Sequence, residues 1–285
     1  MSAGNIVPRP ETVTHEVSDG VVLTMFDFGP AHGAEGRPLL VFVAGWISLL
    51  SGWEKVLSEL VPRFRVLYLE TREKKSAILP GPARKISFSP GRMAQDIHEI
   101  LAQRAPEGLP FYLAGSSLGA ALILEHLAQS PLKPRESFLI SPISRMHYPP
   151  LALAILRLIP PSWFGIVKPW IKWYLATFRC DRKNEPEQVR KYEGTIDAAE
   201  PARLKQNAIA LENYSVWPVL SRVTTPVHLI GGRTDTLHGV EELEKMAALL
   251  PDARLTVLES NRETHSEVCG RLLAESILER EGRGR

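Results

Sequence analysis

The sequence predicts an α/β protein whose mostly parallel sheet is covered by helices on both faces. Apolar strand-like runs alternate with helix-like segments along most of the chain, and such alternation indicates crossover units. The run over 39–45 is continuously apolar, which is typical of a strand buried on both faces. A long helix-like interruption follows the sixth predicted strand. We therefore expect a sheet domain with an inserted helical cap.

The first half of the chain contains six predicted strands and three predicted helices. Residues 12–17 and 21–28 predict a hairpin across Asp19-Gly20, a dipeptide that favours tight turns. Pro90 stands near the start of the second helix, where its missing N–H has no cost. The other predicted strands cover 39–45, 64–70, 111–116 and 136–142, and the helices cover 52–63, 89–105 and 117–129.

The alternation resumes near residue 220. Strands are predicted over 226–232 and 253–259, and helices over 240–250 and 266–281. An insertion between two strands of one parallel sheet lies above their ends, and ligands bind at the carboxyl ends of such strands. We therefore predict a core domain formed by 1–145 and 216–285 and a helical cap or lid formed by 146–215.

Composition and charge limit the partners, metal sites and cellular location that we expect for this protein. The 285 residues include 34 Lys plus Arg and 32 Asp plus Glu, so the net charge of +2 gives no reason to expect nucleic acid. Cys180 and Cys269 fit no metal spacing and are interpreted as reduced thiols. The first residues lack the pattern of a secretory signal, and no apolar run is long enough to span a membrane. We expect a cytoplasmic protein without a metal.

A sharp strand-to-helix corner carries the strongest chemical signal. The stretch from Gly115 to Gly119 matches G-x-S-x-G with Ser117 as the central residue. A strained turn brings the residues two before and two after the serine together, so glycine is favoured at both places. The turn also aims the N–H of Leu118, at the positive end of the new helix, towards the reacting centre. Ser117 is the predicted nucleophile, and Ser116 is interpreted as a hydroxyl bonded to local backbone.

A serine hydroxyl needs a base within hydrogen-bond reach and an acid that orients the base. In this kind of scaffold the chain order is nucleophile, acid, histidine. Asp235 follows the predicted strand 226–232 and is the leading acid, with capping of the next helix as the alternative. His265 follows the next strand and is the predicted base.

Two further features of these loops support the choice of His265. Thr264 and Glu267 fit a capping box, which places His265 at the first position of the last helix. His238 is too near Asp235 in sequence to come from the loop after the next strand. We interpret His238 as a solvated loop histidine, with a position at the pocket rim as the alternative.

These motifs resemble the α/β-hydrolase family over roughly 21–145 and 216–281. The resemblance rests on the turn at 115–119, the acid after the penultimate strand and the histidine before the last helix. It implies an eight-stranded, mostly parallel sheet and a Ser117–His265–Asp235 triad. It also implies an oxyanion hole formed by the amide of Leu118 and an amide after the third strand. Aligning Gly45 with the glycine of the family's His-Gly motif makes Trp46 that second donor.

The sequence departs from the family pattern in two loops. Ala44 stands where many members have histidine, and no proline follows Trp46. After the fourth strand many members have Asp-x-Arg-Gly-x-Gly, whereas residues 70–76 read ETREKKS and lack both glycines. The run REKK over 72–75 is interpreted as a solvated loop, with attraction of an acidic substrate as the alternative.

The predicted cap holds three of the six tryptophans, Trp163, Trp170 and Trp173. Packing against the core domain is the favoured hypothesis for its apolar segment 151–178. A wall for an acyl chain is the second hypothesis, and it makes the three tryptophans candidate substrate-binding residues. Docking at a membrane surface is the least favoured of the three.

The function predicted from these residues is hydrolysis of a carboxylic ester, with an apolar acyl group, through an acyl-enzyme. A small-molecule ester is the expected partner, and no metal or organic cofactor is needed for this chemistry. Thioesterase, lipase, carbon–carbon bond hydrolase and acyltransferase use the same triad and stay open. A ligand-binding protein that keeps the scaffold without turnover is the alternative from another class.

Overall fold

The computed structural model describes residues 7–29, 37–105, 110–146, 148, 150–178 and 193–283. Its eight strands are Glu11–Glu16 (β1), Val22–Phe28 (β2), Leu39–Val43 (β3), Arg65–Leu69 (β4), Phe111–Ser116 (β5), Ser137–Ile140 (β6), Val227–Gly232 (β7) and Ala253–Leu258 (β8). They form one sheet in the order β1-β2-β4-β3-β5-β6-β7-β8. The pairs β1–β2 and β2–β4 are antiparallel and the others are parallel, which confirms the predicted fold class.

The helices occur between the strands, as the alternation predicts. They are Glu54–Leu60 (α1), Pro90–Arg104 (α2), Leu118–Gln129 (α3), Pro150–Leu158 (α4), Phe164–Phe178 (α5), 193–198 (α6), Pro201–Ala210 (α7), Val240–Leu249 (α8) and Glu267–Arg283 (α9). Helix α1 is shorter than predicted at both ends, and a 3-10 turn over Leu50–Gly52 precedes it. Helix α2 begins as predicted, with the hydroxyl of Ser89 accepting the amide of Arg92.

The central strand β3 explains why the sheet is covered on both faces. All five of its side chains are buried. Leu39, Val41 and Val43 pack with α2, α3 and α8 on one face, whereas Leu40 and Phe42 pack with α1 and α9 on the other. Because successive side chains of a strand point to opposite faces, a continuous apolar run contributes to two cores at once. Each buried side chain of this size stabilises the fold by about 1.5 to 3 kcal/mol.

The carboxyl ends of β5, β6 and β7 lie level with one another. Ser116 pairs with Ile140, and Ile140 pairs with Ile230 in the next strand. The segments that follow these three strands therefore leave the sheet side by side at one edge. One of them begins with Ser117 and another contains Asp235.

Helices α4 to α7 lie between β6 and β7 in the chain, in the segment predicted to form a cap. Residues 179–192 of this segment, including Cys180, lie outside the described residues. Helix α7 packs against α4 and against a 3-10 turn over Ala83–Lys85. Within the described ranges, no helix has the length and apolar character needed to cross a membrane.

Candidate active site

Ser117 occupies a strained backbone position between β5 and α3. Its φ is 49° and its ψ is −114°, a region that residues other than glycine rarely adopt. Neighbouring backbone holds this turn on two sides. The amide of Ser117 donates to the carbonyl of Ile140 at 2.9 Å, and its carbonyl accepts the amides of Ala121 at 3.1 Å and Ile143 at 3.3 Å. The surrounding structure therefore compensates the strain and keeps the serine at the sheet edge.

The two glycines that flank the turn allow the close approach that the motif predicts. A Cβ on Gly119 would lie 2.4 Å from the carbonyl oxygen of Val43 and 2.5 Å from that of Ala44. A Cβ on Gly115 would lie 2.7 Å from Cδ1 of Ile123. Helix α3 thus starts directly against the end of β3, and only glycine at 119 fits there without moving backbone.

The imidazole that the structure brings to Ser117 belongs to His238. The Oγ of Ser117 lies 3.1 Å from Nε2 of His238, and Nδ1 of His238 lies 3.1 Å from Oδ2 of Asp235. An ionised carboxylate only accepts hydrogen bonds, so Nδ1 carries the proton in this arrangement. Nε2 then offers its lone pair to the serine hydroxyl. The three side chains form a continuous hydrogen-bond chain, in which Asp235 orients the imidazole of His238 and the imidazole can accept the proton of Ser117.

Asp235 is buried and held by its own loop. Its Oδ1 accepts the amides of Leu237 at 2.8 Å and His238 at 3.0 Å. Burial by itself would raise the pKa of this carboxyl group, but the hydrogen bonds and charge of His238 and the two amides lower the pKa below its ordinary value. The carboxylate therefore stays ionised at neutral pH and can stabilise a cationic imidazole.

The structure corrects the argument that placed His238 away from the site. The sequence argument did not choose His238 because it does not lie in the loop after the next strand, where the base was expected. Here the carboxylate of Asp235 accepts two amides of the residues that follow it, so the loop curls back on itself. This turn returns the side chain of His238, three residues later, to the same carboxylate.

His265, the predicted base, lies in a 3-10 helix over Glu263–His265. Its ring packs on the indole of Trp53, with centroids 4.4 Å apart, and its Nδ1 lies 2.9 Å from Oγ1 of Thr264. The predicted capping box is wrong. The hydroxyl of Thr264 donates to the carbonyl of Asn261, and α9 begins at Glu267, after the 3-10 helix.

The two predicted oxyanion donors, Leu118 and Trp46, belong to adjoining segments. Leu118 is the first residue of α3, and amides in a first helical turn have no acceptor within their helix. Trp46 follows Gly45, whose added Cβ would lie 2.9 Å from Oγ of Ser116 and 3.5 Å from Cβ of Ser117. The peptide that joins Gly45 to Trp46 therefore lies beside the serine turn.

The charged loop after β4 is folded inward, so the prediction of a solvated REKK run is wrong. Arg72 is fully buried and donates to Asp96 at 2.6 and 2.7 Å and to Asp19 at 2.7 Å. Glu73 and Lys74 are also buried, and of the four residues only Lys75 is exposed. Paired charges and hydrogen bonds offset the cost of removing these groups from water, which composition alone does not reveal.

The three cap tryptophans are largely exposed to solvent. The exposed fractions are 57% for Trp163, 69% for Trp170 and 55% for Trp173. Trp170 and Trp173 contact each other edge to face, with ring centroids 6.4 Å apart. Side chains with more than half of their surface in water do not form a closed acyl-binding wall in this conformation. We therefore assign the three tryptophans no role in the chemistry proposed below.

Comparison with known proteins identifies the family. Residues 10–266 match the model of the alpha/beta hydrolase family, which covers most of the chain. The chain belongs to the α/β-hydrolase family, and this membership supports hydrolase activity. A search of curated proteins gives no match.

Several solved structures share the fold. A hydrolase from Pseudomonas aeruginosa PA01 is 20% identical with a TM-score of 0.74, over 95% of this chain and 98% of that chain. A thermophilic esterase from Thermogutta terrifontis is 19% identical with a TM-score of 0.75, over 95% and 99%. The enol-lactonase from Burkholderia xenovorans LB400 is 16% identical with a TM-score of 0.74, over 95% and 100%. These similarities support the fold described above.

Proposed function

We propose that this protein is a serine hydrolase that cleaves carboxylic esters through an acyl-enzyme. The observation that supports the proposal is the hydrogen-bond chain from Ser117 Oγ through His238 to Asp235. This arrangement is the one that turns a weakly nucleophilic alcohol into an attacking group at neutral pH.

The reaction would proceed in two halves. Ser117 Oγ attacks the acyl carbonyl while Nε2 of His238 takes its proton, and His238 then gives that proton to the departing alcohol. Water, deprotonated by His238, next attacks the acyl-enzyme, and the proton returns to Ser117 as the acid leaves. Asp235 holds the imidazole in the required tautomer and stabilises the imidazolium that forms in each half.

The oxyanion of each tetrahedral intermediate needs donors in place before it forms. We assign this role to two backbone amides. One belongs to Leu118, the residue after Ser117, and the other to Trp46, in the loop after β3. Loss of one such donor typically lowers kcat by a factor of about 100 to 1000. Because backbone amides survive side-chain substitution, their contribution is best tested through the groups that orient them.

An ester is the substrate class that we favour. Among the structures with a similar fold, one is named an esterase and another an enol-lactonase. The same three side chains would also serve a thioester, so the leaving group is a matter for experiment. p-Nitrophenyl esters of graded acyl length provide the direct test.

Substitution of the two histidines tests the assignment of the base. We expect Ser117→Ala to abolish labelling by a fluorophosphonate probe and hydrolysis of p-nitrophenyl acetate. His238→Ala should lower kcat by about a thousandfold or more, because the serine loses its proton acceptor. His265→Ala is the matched control, and it should retain activity within about tenfold because the imidazole within hydrogen-bond distance of Ser117 Oγ is that of His238.

The two possible failures differ in meaning. Equal labelling of the wild-type protein and Ser117→Ala would remove the nucleophile and with it the proposed function. Loss of activity in His265→Ala together with an active His238→Ala would keep the nucleophile and move the base to His265.

A further inference from the structure

A buried lysine lies immediately behind the proposed oxyanion loop. The ammonium of Lys74, from the segment after β4, donates to the carbonyl oxygen of Gly45 at 2.6 Å. Lys74 is buried, so it is shielded from solvent at a place where a charged side chain is costly. The chemistry proposed above does not use it.

The carbonyl of Gly45 determines where the next amide points. The described chain contains no cis peptide bonds, and in a trans peptide the C=O and N–H groups point in opposite directions. The same carbonyl also accepts the amide of Ser48 at 3.1 Å, which closes a turn whose third residue, Ile47, has a φ of 49°. A β-branched residue rarely adopts this backbone conformation, so contacts from outside the turn must stabilise it.

We infer that Lys74 is a positioning residue that orients the amide of Trp46 towards the oxyanion by holding the carbonyl of Gly45. The hydrogen bond from Lys74 fixes the Gly45 carbonyl on one side of the peptide, so the Trp46 N–H points to the opposite side. This inference rests on the proposed function, because it assigns a task only if an oxyanion forms at Ser117.

Burial lowers the pKa of Lys74, but the carboxylate of Glu73 opposes this change and holds the side chain in place. Glu73 Oε1 lies 3.1 Å from Lys74 Nζ and accepts the hydroxyl of Thr71 at 2.7 Å. The guanidinium of Arg203, in α7, donates to the carbonyls of Lys74 and Ala77 and so fixes the backbone of the loop. The helical segment between β6 and β7 is thereby tied to the loop that carries the lysine.

A charged donor on the Gly45 carbonyl has an electronic consequence as well as a geometric one. A hydrogen bond accepted by the C=O of a peptide polarises that peptide and strengthens its own N–H as a donor. A charge-assisted bond does so more than a neutral one. Trp46 N–H should therefore stabilise the tetrahedral intermediate more than the ground-state carbonyl, which affects kcat rather than KM.

Substitution of Lys74 by an uncharged residue of similar length tests the inference. We expect Lys74→Met to lower kcat by about ten- to hundredfold while KM changes less than about twofold. Affinity for a boronic acid that forms a tetrahedral serine adduct should fall in parallel. Lys74→Arg should restore part of kcat, and the exposed neighbour variant Lys75→Met is the matched control with unchanged kinetics.

Removal of Lys74 alone leaves Glu73 buried without its cation, which could destabilise the fold. The double variant Glu73→Gln with Lys74→Met removes both charges, and it should show the same loss of kcat and of boronic acid affinity. An unchanged kcat in the folded double variant would overturn the inference, as would a change confined to KM. Failure of the proposed function looks different, because the wild-type protein itself would then give no labelling and no hydrolysis.

Discussion

At the scale of single residues, pairing rather than polarity decides which charged groups are buried. Arg72 lies inside the protein because Asp96 and Asp19 accept hydrogen bonds from its guanidinium. Burial opposes ionisation of the guanidinium, but the two carboxylates raise the pKa of Arg72 above its ordinary value. Three of the four charges in the REKK run, those of Arg72, Glu73 and Lys74, therefore lie inside the fold rather than on a solvated loop.

Removal of the Arg72 guanidinium should destabilise the fold strongly. Arg72→Met leaves a buried carboxylate, Asp96, with weaker compensation, and we expect the free energy of unfolding to fall by about 3 to 5 kcal/mol. Arg233→Met is the matched control, because Arg233 pairs with Glu259 at 3.7 Å where both side chains are mostly exposed. Its cost should be about 0 to 1 kcal/mol.

Urea unfolding at neutral pH measures both variants of this pair. An Arg72→Met protein as stable as Arg233→Met would show that the buried network contributes little to the fold.

The sequence predicts some residues of the proposed site and misses others for physical reasons. Ser117 is found because its constraint is local, a serine between two glycines at a strand-to-helix corner. Asp235 is found because it follows the end of a predictable strand. His238 is missed because its position depends on how the carboxylate of Asp235 folds its own loop. Lys74 is missed because its partner, the carbonyl of Gly45, carries no signal in the side-chain pattern.

At the scale of elements, the serine turn depends on how closely α3 approaches β3. The two flanking glycines have equal places in the motif but face different neighbours. Gly119 faces the backbone carbonyls of Val43 and Ala44, whereas the nearest atom to Gly115 is the end of the Ile123 side chain. Backbone in a central strand moves at a much higher cost than a terminal methyl group.

The two glycines should therefore differ in their tolerance of alanine. We expect Gly119→Ala to lower the free energy of unfolding by at least about 3 kcal/mol, because α3 must move away from β3. Gly115→Ala should cost less, about 1 to 2 kcal/mol, since Ile123 can rotate away and the backbone of Gly119 and Ala120, at 3.0 Å, needs to move only slightly. Thermal unfolding followed by circular dichroism compares the two, and equal costs would contradict the packing described for the turn.

Strands and helices follow from the sequence where the apolar pattern is strong. The strand predicted over 39–45 is observed over Leu39–Val43, and the helix predicted over 89–105 is observed over Pro90–Arg104. Burial on two faces and a capped amphipathic helix leave clear patterns in the sequence. The last helix is predicted with the wrong start, because the preceding turn is held by the hydroxyl of Thr264 on Asn261 rather than by a capping box. Short-range hydrogen bonds of this kind compete with the helix and are ambiguous in sequence.

At the scale of the whole molecule, two buried histidines link stability to pH. Burial lowers the pKa of His228 to about 3, and the charge of Arg254 acts in the same direction. Burial also lowers the pKa of His126, to about 4, although a hydrogen bond to the carbonyl of Leu132 opposes this change. Both imidazoles are neutral in the folded protein, whereas in the unfolded chain they take up protons near their ordinary pKa.

Stability should therefore decrease in mild acid. The folded-state pKa of each histidine lies below its unfolded value, so its contribution is complete above about pH 6.5 and is lost as the pH falls towards the folded value. Between pH 7.5 and pH 5, we expect each histidine to reduce the free energy of unfolding by about 1 to 2 kcal/mol. Urea unfolding at several pH values measures this slope.

The variant His228→Asn removes one titrating group from the folded core. Its unfolding free energy should depend less steeply on pH over the same range, whatever its absolute stability. A slope identical to that of the wild-type protein would show that His228 does not titrate differently in the two states.

The distance along the chain between Ser117 and His238, 121 residues, has a consequence for biosynthesis. A ribosome-bound chain can complete the strand-to-helix corner long before its partner imidazole has been translated. The nascent protein therefore contains Ser117 without its proposed base until β7 joins the central strands. The proposed chemistry would then become possible only after the loop that carries His238 has been translated and β7 has joined the sheet.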